Sequence, residues 1–376
     1  MDFQPTQSQQ MTRRAVQEFV HKEVAPISQE PDKTAEFPLA MYRQALALEV
    51  LDITLPEALG GIGDDFLSFA IALEEFASGS AALAHSIAAT EAVVYLLSRY
   101  GSNRQQQQYL RPLRAGEMFA GAVIWDPDAG SDPTGRLHAF PDGDGHRLSG
   151  TLPHVPLAPA AGLAIVFAMG VNDRISAFIV EKQMPGLTAA GPQEFMGMRG
   201  FPFGRLTFRD VFVSSDHRLG STESGSKISD ELLMRGETAV GAIAVGLSRA
   251  ALEAAVKHSK ARIQFGKPLA ALQATQNKIA DMAAAIQSAR LLVYDAAFSL
   301  GQGKPPARQT AMAKLIASEM AVGVCREAVQ IHGGYGYVKD YPVERLYRDA
   351  LFSQLYPTVN EVQRKAVAQL TYRRIR

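Results

Sequence analysis

Two changes of hydrophobic period divide this chain. Apolar residues recur every three or four positions from Met11 to about Glu117, in "TRRAVQEFVHKEVAP", "FPLAMYRQALAL" and "FLSFAIALEEFASGSAALAHSIAATEAVVYLLSRYG". Between about Phe119 and Gly220 they form short β-branched or aromatic runs, "FAGAVIW", "GLAIVFAMG", "RISAFIVEK" and "RLTFRDVFV". Beyond Gly225 the longer period returns. A spacing of three and four lines one face of a helix, whereas short β-branched and aromatic runs mark strands. The chain must therefore fold as helices, then a sheet, then helices, an uncommon order that narrows the fold before any motif is considered.

Turn chemistry sharpens the boundaries. Pro26, Pro38, "PEALGG" and "RYGSN" interrupt the first helical region, because proline lacks an amide donor and glycine relaxes the backbone. "FPDGDGHRL" supplies the Asp-Gly pair of a tight hairpin inside the β region. The third region contains four long helical patterns joined by short links, which predicts an antiparallel bundle. Its stretch from Ala239 to Ala255 is apolar almost all round and rich in Ala and Gly, as expected of a central helix with close neighbours. The expected domains are 1–118, helical; 119–222, a β-barrel-like middle domain; and 223–376, a four-helix bundle.

Composition excludes several functions. Lys plus Arg equals Asp plus Glu at 38 each, and no basic block exceeds the terminal "YRRIR", so nucleic-acid binding has little support. Cys325 is the single cysteine, which rules out an internal disulfide and a cysteine-rich metal site and fits a reducing, cytoplasmic setting. The N-terminus lacks the apolar core of a signal peptide. No uncharged apolar run approaches the roughly 18 residues of a membrane span. "GGIGDD" lacks the third glycine of a dinucleotide fingerprint, and "GQGKPP" lacks the spacing of a P-loop. His85, Asp281 and Glu74-Glu75 have no partners at metal-ligand spacing and read as solvated or locally bonded; no metal site is expected.

Five segments in order resemble the acyl-CoA dehydrogenase family and cover nearly the whole chain. They are "LDITLPEALGGIG" with "FAIALEEFA", "DPDAGSD" (126–132), "GMRGFPFGRLTFRDVFV", "RIQFGKPLAALQATQNKIADM" and "QIHGGYGYVKDYPVERLYRDA" (330–350). The resemblance implies an FAD-dependent, homo- or heterotetrameric oxidoreductase of fatty acid metabolism. It would take an acyl-CoA thioester between the β domain and the bundle and pass electrons to an electron-transfer flavoprotein or similar acceptor. In that family a glutamate removes the α-proton while the β-hydrogen leaves as hydride to the flavin. The base must be a desolvated carboxylate beside a weak carbon acid.

Carried over residue by residue, the resemblance implies that Arg262 reaches a neighbour's FAD pyrophosphate, a task suited to a guanidinium fork. Phe265 and Gln273 match residues lining the same cofactor. Gln330, Gly333 and Gly334 match the segment whose backbone approaches the ADP portion, and Ser131 lies in the β-domain cofactor segment. Apart from the family context, Arg262 reads more simply as an exposed helix cation and Gly333-Gly334 as a helix end with a turn.

The flavin half departs from the family pattern. Trp125 stands where a threonine is usual, His154 where a tryptophan packs on the flavin, and Pro156 where a threonine sits beside its reactive edge. A strand-edge histidine held by hydrogen bonds is the plainer account of His154. The base positions depart too. The family's "YEGTxEIQR" reads Tyr356-Pro357-Thr-Val-Asn-Glu361-Val-Gln-Arg364, with Pro357 at the glutamate. The second known position, on the first bundle helix, reads Gly236-Glu237. Glu237 is displaced by one residue, about 100° around a helix, from where a base would point.

Two functions follow from the resemblance. One is a catalytically degenerate subunit of a heteromeric acyl-CoA dehydrogenase, with FAD shared with a paralogous partner or absent from this chain's own pocket. The other is a homo-oligomeric catalyst with different chemistry on a thioester: a non-redox lyase or desulfinase, or a flavin monooxygenase. A dehydrogenase using Glu237 as base is the remaining possibility.

Overall fold

The computed structural model describes residues 5–123, 137–171, 174–222, 224–302 and 306–374. Six helices open the chain: α1 (Gln7–Phe19), α2 (Glu30–Thr34), α3 (Leu39–Leu46), α4 (Phe66–Gly79), α5 (Ala81–Tyr100) and α6 (Asn103–Arg114). Their starts follow local sequence. The Thr6 hydroxyl accepts from the Gln9 amide while the Gln9 side chain accepts from the Thr6 amide, closing a capping box. Asp65 and Ser80 cap α4 and α5 in the simpler way.

The middle region is one mixed sheet of β1 (Ala120–Ala122), β2 (Leu137–Asp142), β3 (Gly145–Pro156), β4 (Leu163–Met169), β5 (Ile175–Glu181), β6 (Leu187–Ala190), β7 (Phe203–Ser214) and β8 (Arg218–Leu219). The order is β6-β7-β3-β2-β4-β5-β8, with β1 pairing parallel to β4. The Asp-Gly hairpin forms where the sequence placed it: Asp142 pairs with Gly145 across Gly143-Asp144, and Gly143 has φ +58°. Alternation splits the sheet between two cores. Ile165, Phe167 and Ile179 join the helical core, while Ala164, Val166, Phe178 and Val180 join a second core within the β region.

The last region contains α7 (Gly225–Ala261), a small hairpin of β9 (Ile263–Gln264) and β10 (Lys267–Pro268), then α8 (Gln273–Leu300), α9 (Ala307–His332), α10 (Pro342–Leu355) and α11 (Asn360–Arg374). Helix α10 begins within the segment read as a motif, and Pro342 sits at its first position, where its missing amide hydrogen costs no bond. Helix α7 is central, packing on α4, α5, α8, α9 and α10. Its glycines permit the approach: a Cβ on Gly246 would lie 2.0 Å from the Glu74 carbonyl oxygen, inside any allowed contact.

Helices α5 and α7 are long and apolar enough to cross a membrane, but both carry charged residues, and 83% and 67% of their most apolar windows are buried inside the protein. They are core helices here, and their apolarity is spent on packing. The Glu74-Glu75 pair also differs from its reading as solvated or locally bonded. Both are buried and bridged to Arg249, and Glu74 also to Arg290 and the Tyr294 hydroxyl. Two carboxylates buried together require that much cation.

Candidate functional site

Helices α5 and α7 enclose a small cavity of about 20 Å³. From α5 it is lined by His85, Ala88, Ala89, Glu91 and Ala92, and from α7 by Arg235, Gly236, Ala239 and Val240; Tyr356 closes it. Positions 85, 88, 89 and 92 fall at helical intervals of three and four, so a single face of α5 presents them. Gly236, one of the two family base positions, and Tyr356, the neighbour of the other, therefore border one space. No carboxylate stands at either base position.

The cavity nevertheless carries polar groups. Glu91 accepts hydrogen bonds from Arg235 Nη2 and, at 2.6 Å, from Thr54 Oγ1. The Arg235 guanidinium lies 4.3 Å and 3.7 Å from the ring centroids of Phe66 and Tyr95, a cation against two aromatic faces. Its Nε is buried without a partner. His85, expected to be solvated or locally bonded, is buried, stacked on Phe201 at 5.4 Å and met edge-on by Phe352 and Tyr356. Its Nε2 has no hydrogen-bond partner. Burial pushes its pKa down to about 3, so the ring is neutral.

Glu237 belongs elsewhere. Its carboxylate accepts from Thr310 Oγ1 at 2.7 Å on α9, and it is absent from the cavity lining. Complete burial pushes its pKa up to about 7, against hydrogen bonds from Thr310 and Gln363 and the nearby Lys314 charge. Lys314, which the sequence reading missed, is fully buried. Its ammonium donates to Thr358 O at 2.6 Å, Gln354 O at 3.1 Å and Asn360 Oδ1 at 2.6 Å. Burial brings its pKa down to about 7, with Glu237 the largest opposing influence. This network pins the chain from Gln354 to Asn360, including the cis bond before Pro357 and its buried ring. Glu361 is exposed in the first turn of α11, where a carboxylate suits the helix end.

A second, larger site lies at the far end of α7. A cavity of about 420 Å³ is lined by His258, Arg262, Gln264, Leu269, Ile331, His332, Gly333, Gly334, Tyr335 and Val338. It brings together three of the expected cofactor residues: Arg262, Gly333 and Gly334. Arg262 caps α7 through its amide, which donates to His258 O, and its guanidinium lies 5.6 Å from the Tyr335 ring centroid. Gly333 has φ +59°, a conformation that disfavours side chains, and a Cβ on either glycine would meet nothing within 4 Å. The backbone is thus open to a bound group. Gln330, Phe265 and Gln273 are exposed and do not line this cavity. Phe265 is 89% exposed at the β9–β10 turn, with φ +52° at Phe265 and +74° at Gly266.

These residues fit the ADP portion of FAD: a guanidinium for phosphate oxygens, open glycine backbone and room. The flavin portion fits less well. Pro156 has no amide to donate, and His154 Nδ1 is 2.8 Å from Gln193 Oε1 beside a break in the β3–β7 register. Trp125 and Ser131, with the rest of "DPDAGSD", lie outside the described residues.

Helices before and after a mixed sheet, a bundle with an open, glycine-lined cavity beside Arg262 and a closed cavity between α5 and α7 fit a nucleotide-cofactor class of protein. Family models agree along the chain: the acyl-CoA dehydrogenase N-terminal domain matches residues 6–117, the middle domain 122–211 and the C-terminal domain 223–371. Among similar proteins, an acyl-CoA dehydrogenase of Bacillus subtilis is 37% identical over 374 residues, covering 97% of this chain and 98% of that one. The short-chain specific acyl-CoA dehydrogenase of Homo sapiens mitochondria is 37% identical over 369 residues, covering 96% and 89%. The butyryl-CoA dehydrogenase structure from Megasphaera elsdenii superposes with a TM-score of 0.95 at 36% identity, covering 99% of this chain and 100% of that one. The chain belongs to the acyl-CoA dehydrogenase family.

Proposed function

We propose that this chain is a catalytically degenerate subunit of a heteromeric, FAD-dependent acyl-CoA dehydrogenase, with the α-proton base supplied by a paralogous partner. The observation that carries this reading is the absence of a usable carboxylate where both family positions converge. Gly236 and Tyr356, the residue before Pro357, border the cavity, Glu91 is held by Arg235 and Thr54, and Glu237 faces Thr310. Proton abstraction needs a base within hydrogen-bond reach of the α-carbon's proton.

FAD, when bound, supplies the two-electron acceptor for the β-hydrogen. Arg262 would neutralise its pyrophosphate, and Gly333 and Gly334 would let the backbone approach it. Exposed Phe265, Tyr337 and Ile263 cluster near that cavity in sequence and would be covered by a neighbouring subunit, which supports a tetrameric assembly. The electron acceptor would be an electron-transfer flavoprotein or similar carrier. A soluble, cytoplasmic location goes with this reading.

The test is direct. Purified alone, the chain should lack stoichiometric FAD and reduce no acceptor dye with any acyl-CoA; co-expressed with a neighbouring homologue, it should do both. Dye reduction at family rates by this chain alone would sink the proposal. One observation favours a second reading, a homo-oligomeric enzyme with altered thioester chemistry: the cavity lining includes His85 and the Glu91–Arg235 pair. Retained FAD without dehydrogenation by the chain alone would select it.

A further inference from the structure

Two helix C-termini meet at the larger cavity. The last turn of α7 brings His258 and Arg262, four residues apart and so on one face, and the end of α9 brings His332. The carbonyl end of a helix carries a partial negative charge of about one half, so two such ends roughly cancel one cation. Arg262 is the only fixed charge among the described residues lining the cavity. A doubly charged anion would therefore meet too little positive charge. The two imidazoles stack at 4.2 Å between ring centroids and 24° between planes. His332 is buried, with Nδ1 donating to Ala328 O at 2.8 Å, whereas His258 is half-buried and the cheaper of the two to charge.

We infer that His258 binds the anionic ligand of this cavity alongside Arg262 and takes up a proton from solvent as the ligand enters. The inference deepens the reading of this cavity as the seat of the FAD pyrophosphate, and neither histidine is among the cofactor residues that the family resemblance implies. Without a bound anion, burial, the stacked His332 and the Arg262 charge hold the His258 imidazole below its usual value, and burial does the same to His332. A phosphate within a few ångströms reverses the balance, because an opposite charge favours the protonated ring. The other elements packed here offer no competing carboxylate among the described lining residues. Tyr335, after α9, and Tyr341, at the start of α10, present phenol rings 6.4 Å and 6.3 Å from His258, and the β9–β10 hairpin presents Gln264. Lys257 and Lys260 of α7 are exposed, Lys278 of α8 pairs with Glu327 of α9, and none of the four lines the cavity.

Between the lower pKa of His258 in the free chain and the higher one in the complex, the complex holds a proton that the free chain has released. Affinity should thus be highest at low pH and fall as pH rises. Calorimetric titration of the full-length chain with ADP-ribose, whose diester phosphates keep a fixed charge over this range, reads the effect without turnover. Its Kd should rise about tenfold between about pH 5.5 and about pH 8, the scale of a one-unit rise in the pKa of His258. At about pH 6.5, buffers of different ionisation enthalpy should reveal an uptake of about one half to one proton per ADP-ribose bound. His258→Phe, which keeps a flat ring against His332, should abolish the uptake and hold Kd within about twofold across the range, while His332→Phe should retain both effects. Should His258→Phe fail to fold, as judged by circular dichroism, His258→Gln should give the same flat profile. Uptake that is absent from the unaltered chain, persists without His258 or is lost only in His332→Phe overturns this inference and leaves the cofactor reading intact. Failure of ADP-ribose to bind at any pH overturns both.

Discussion

Two regions along α7 differ in kind. At its C-terminal end the bundle is open: Arg262, Gly333, Gly334 and Tyr335 surround a cavity of about 420 Å³, and Phe265 projects from the nearby hairpin turn almost fully exposed. At its middle the protein is closed: the cavity holds about 20 Å³, and beside it Glu237, Thr310, Lys314, Asn360 and Gln363 form a buried polar network. The open end keeps the residue types the family uses for the dinucleotide. On the proposed reading the closed region lacks the family carboxylates, and its buried polar groups stabilise the fold. Substitution at the first should therefore change ligand binding with little change in folding, and substitution at the network should do the reverse.

The largest effect is expected at Lys314. Replacement by Met would leave Thr358 O, Gln354 O and Asn360 Oδ1 without their shared donor and Glu237 without its nearest cation. Removing one member of a buried charged network typically costs about 3–5 kcal/mol, so urea denaturation should show a destabilisation of that order. A loss below about 1 kcal/mol would break the contrast between the two regions.

Glu237 sharpens it through pH. Its carboxyl stands at about 7 in the folded chain against 4.5 ordinarily, so between those values the folded chain keeps a proton that the unfolded chain has released. Its contribution is fully present below pH 4.5 and is lost as pH rises to about 7, amounting to about 3 kcal/mol over that window. Glu237→Gln should flatten this part of the stability profile. In a co-expressed, active assembly it should leave dye reduction unchanged, whereas abolished turnover in a folded variant would make Glu237 the base.

At the open end, Arg262→Ala should weaken FAD retention by the assembled protein roughly ten- to a hundredfold, as expected for losing a charge-assisted contact, with the denaturation midpoint of the apo chain little changed. Equilibrium dialysis reads the first and thermal unfolding the second. Phe265→Asn should give the smallest effect. It eases a left-handed conformation unfavourable to an aromatic residue, so the apo chain should gain up to about 1 kcal/mol while FAD retention falls. Improved retention would show that the ring is not a cofactor contact.

The architecture was legible because it rests on periodic signals. The Asp142–Gly145 hairpin, the packed Ala and Gly of α7 and the switch from helix to strand near Phe119 are all written in local sequence. The departures at 236 and 357 were visible too, and the 100° turn between adjacent helix positions anticipated that Glu237 would face away from the cavity. Long-range polar pairing was not visible. Glu74 and Glu75 looked like members of a solvated face, yet their cations come from α1, α7 and α8; Lys314 looked like one more helix lysine. A charge inside an apolar run, as Glu91 is in "AALAHSIAATEAVVYLL", was the one available hint that a partner such as Arg235 must exist. Nothing periodic names that partner, because it is set by tertiary packing.

The central claim is that this chain can hold the dinucleotide end of the cofactor but has no base of its own for dehydrogenation. Rapid mixing of the chain, supplied with excess FAD, against butyryl-CoA while following flavin absorbance tests it most directly. The account predicts that the flavin stays oxidised with this thioester and is bleached only when a paralogous subunit is present. Bleaching at rates typical of the family by this chain alone would contradict it.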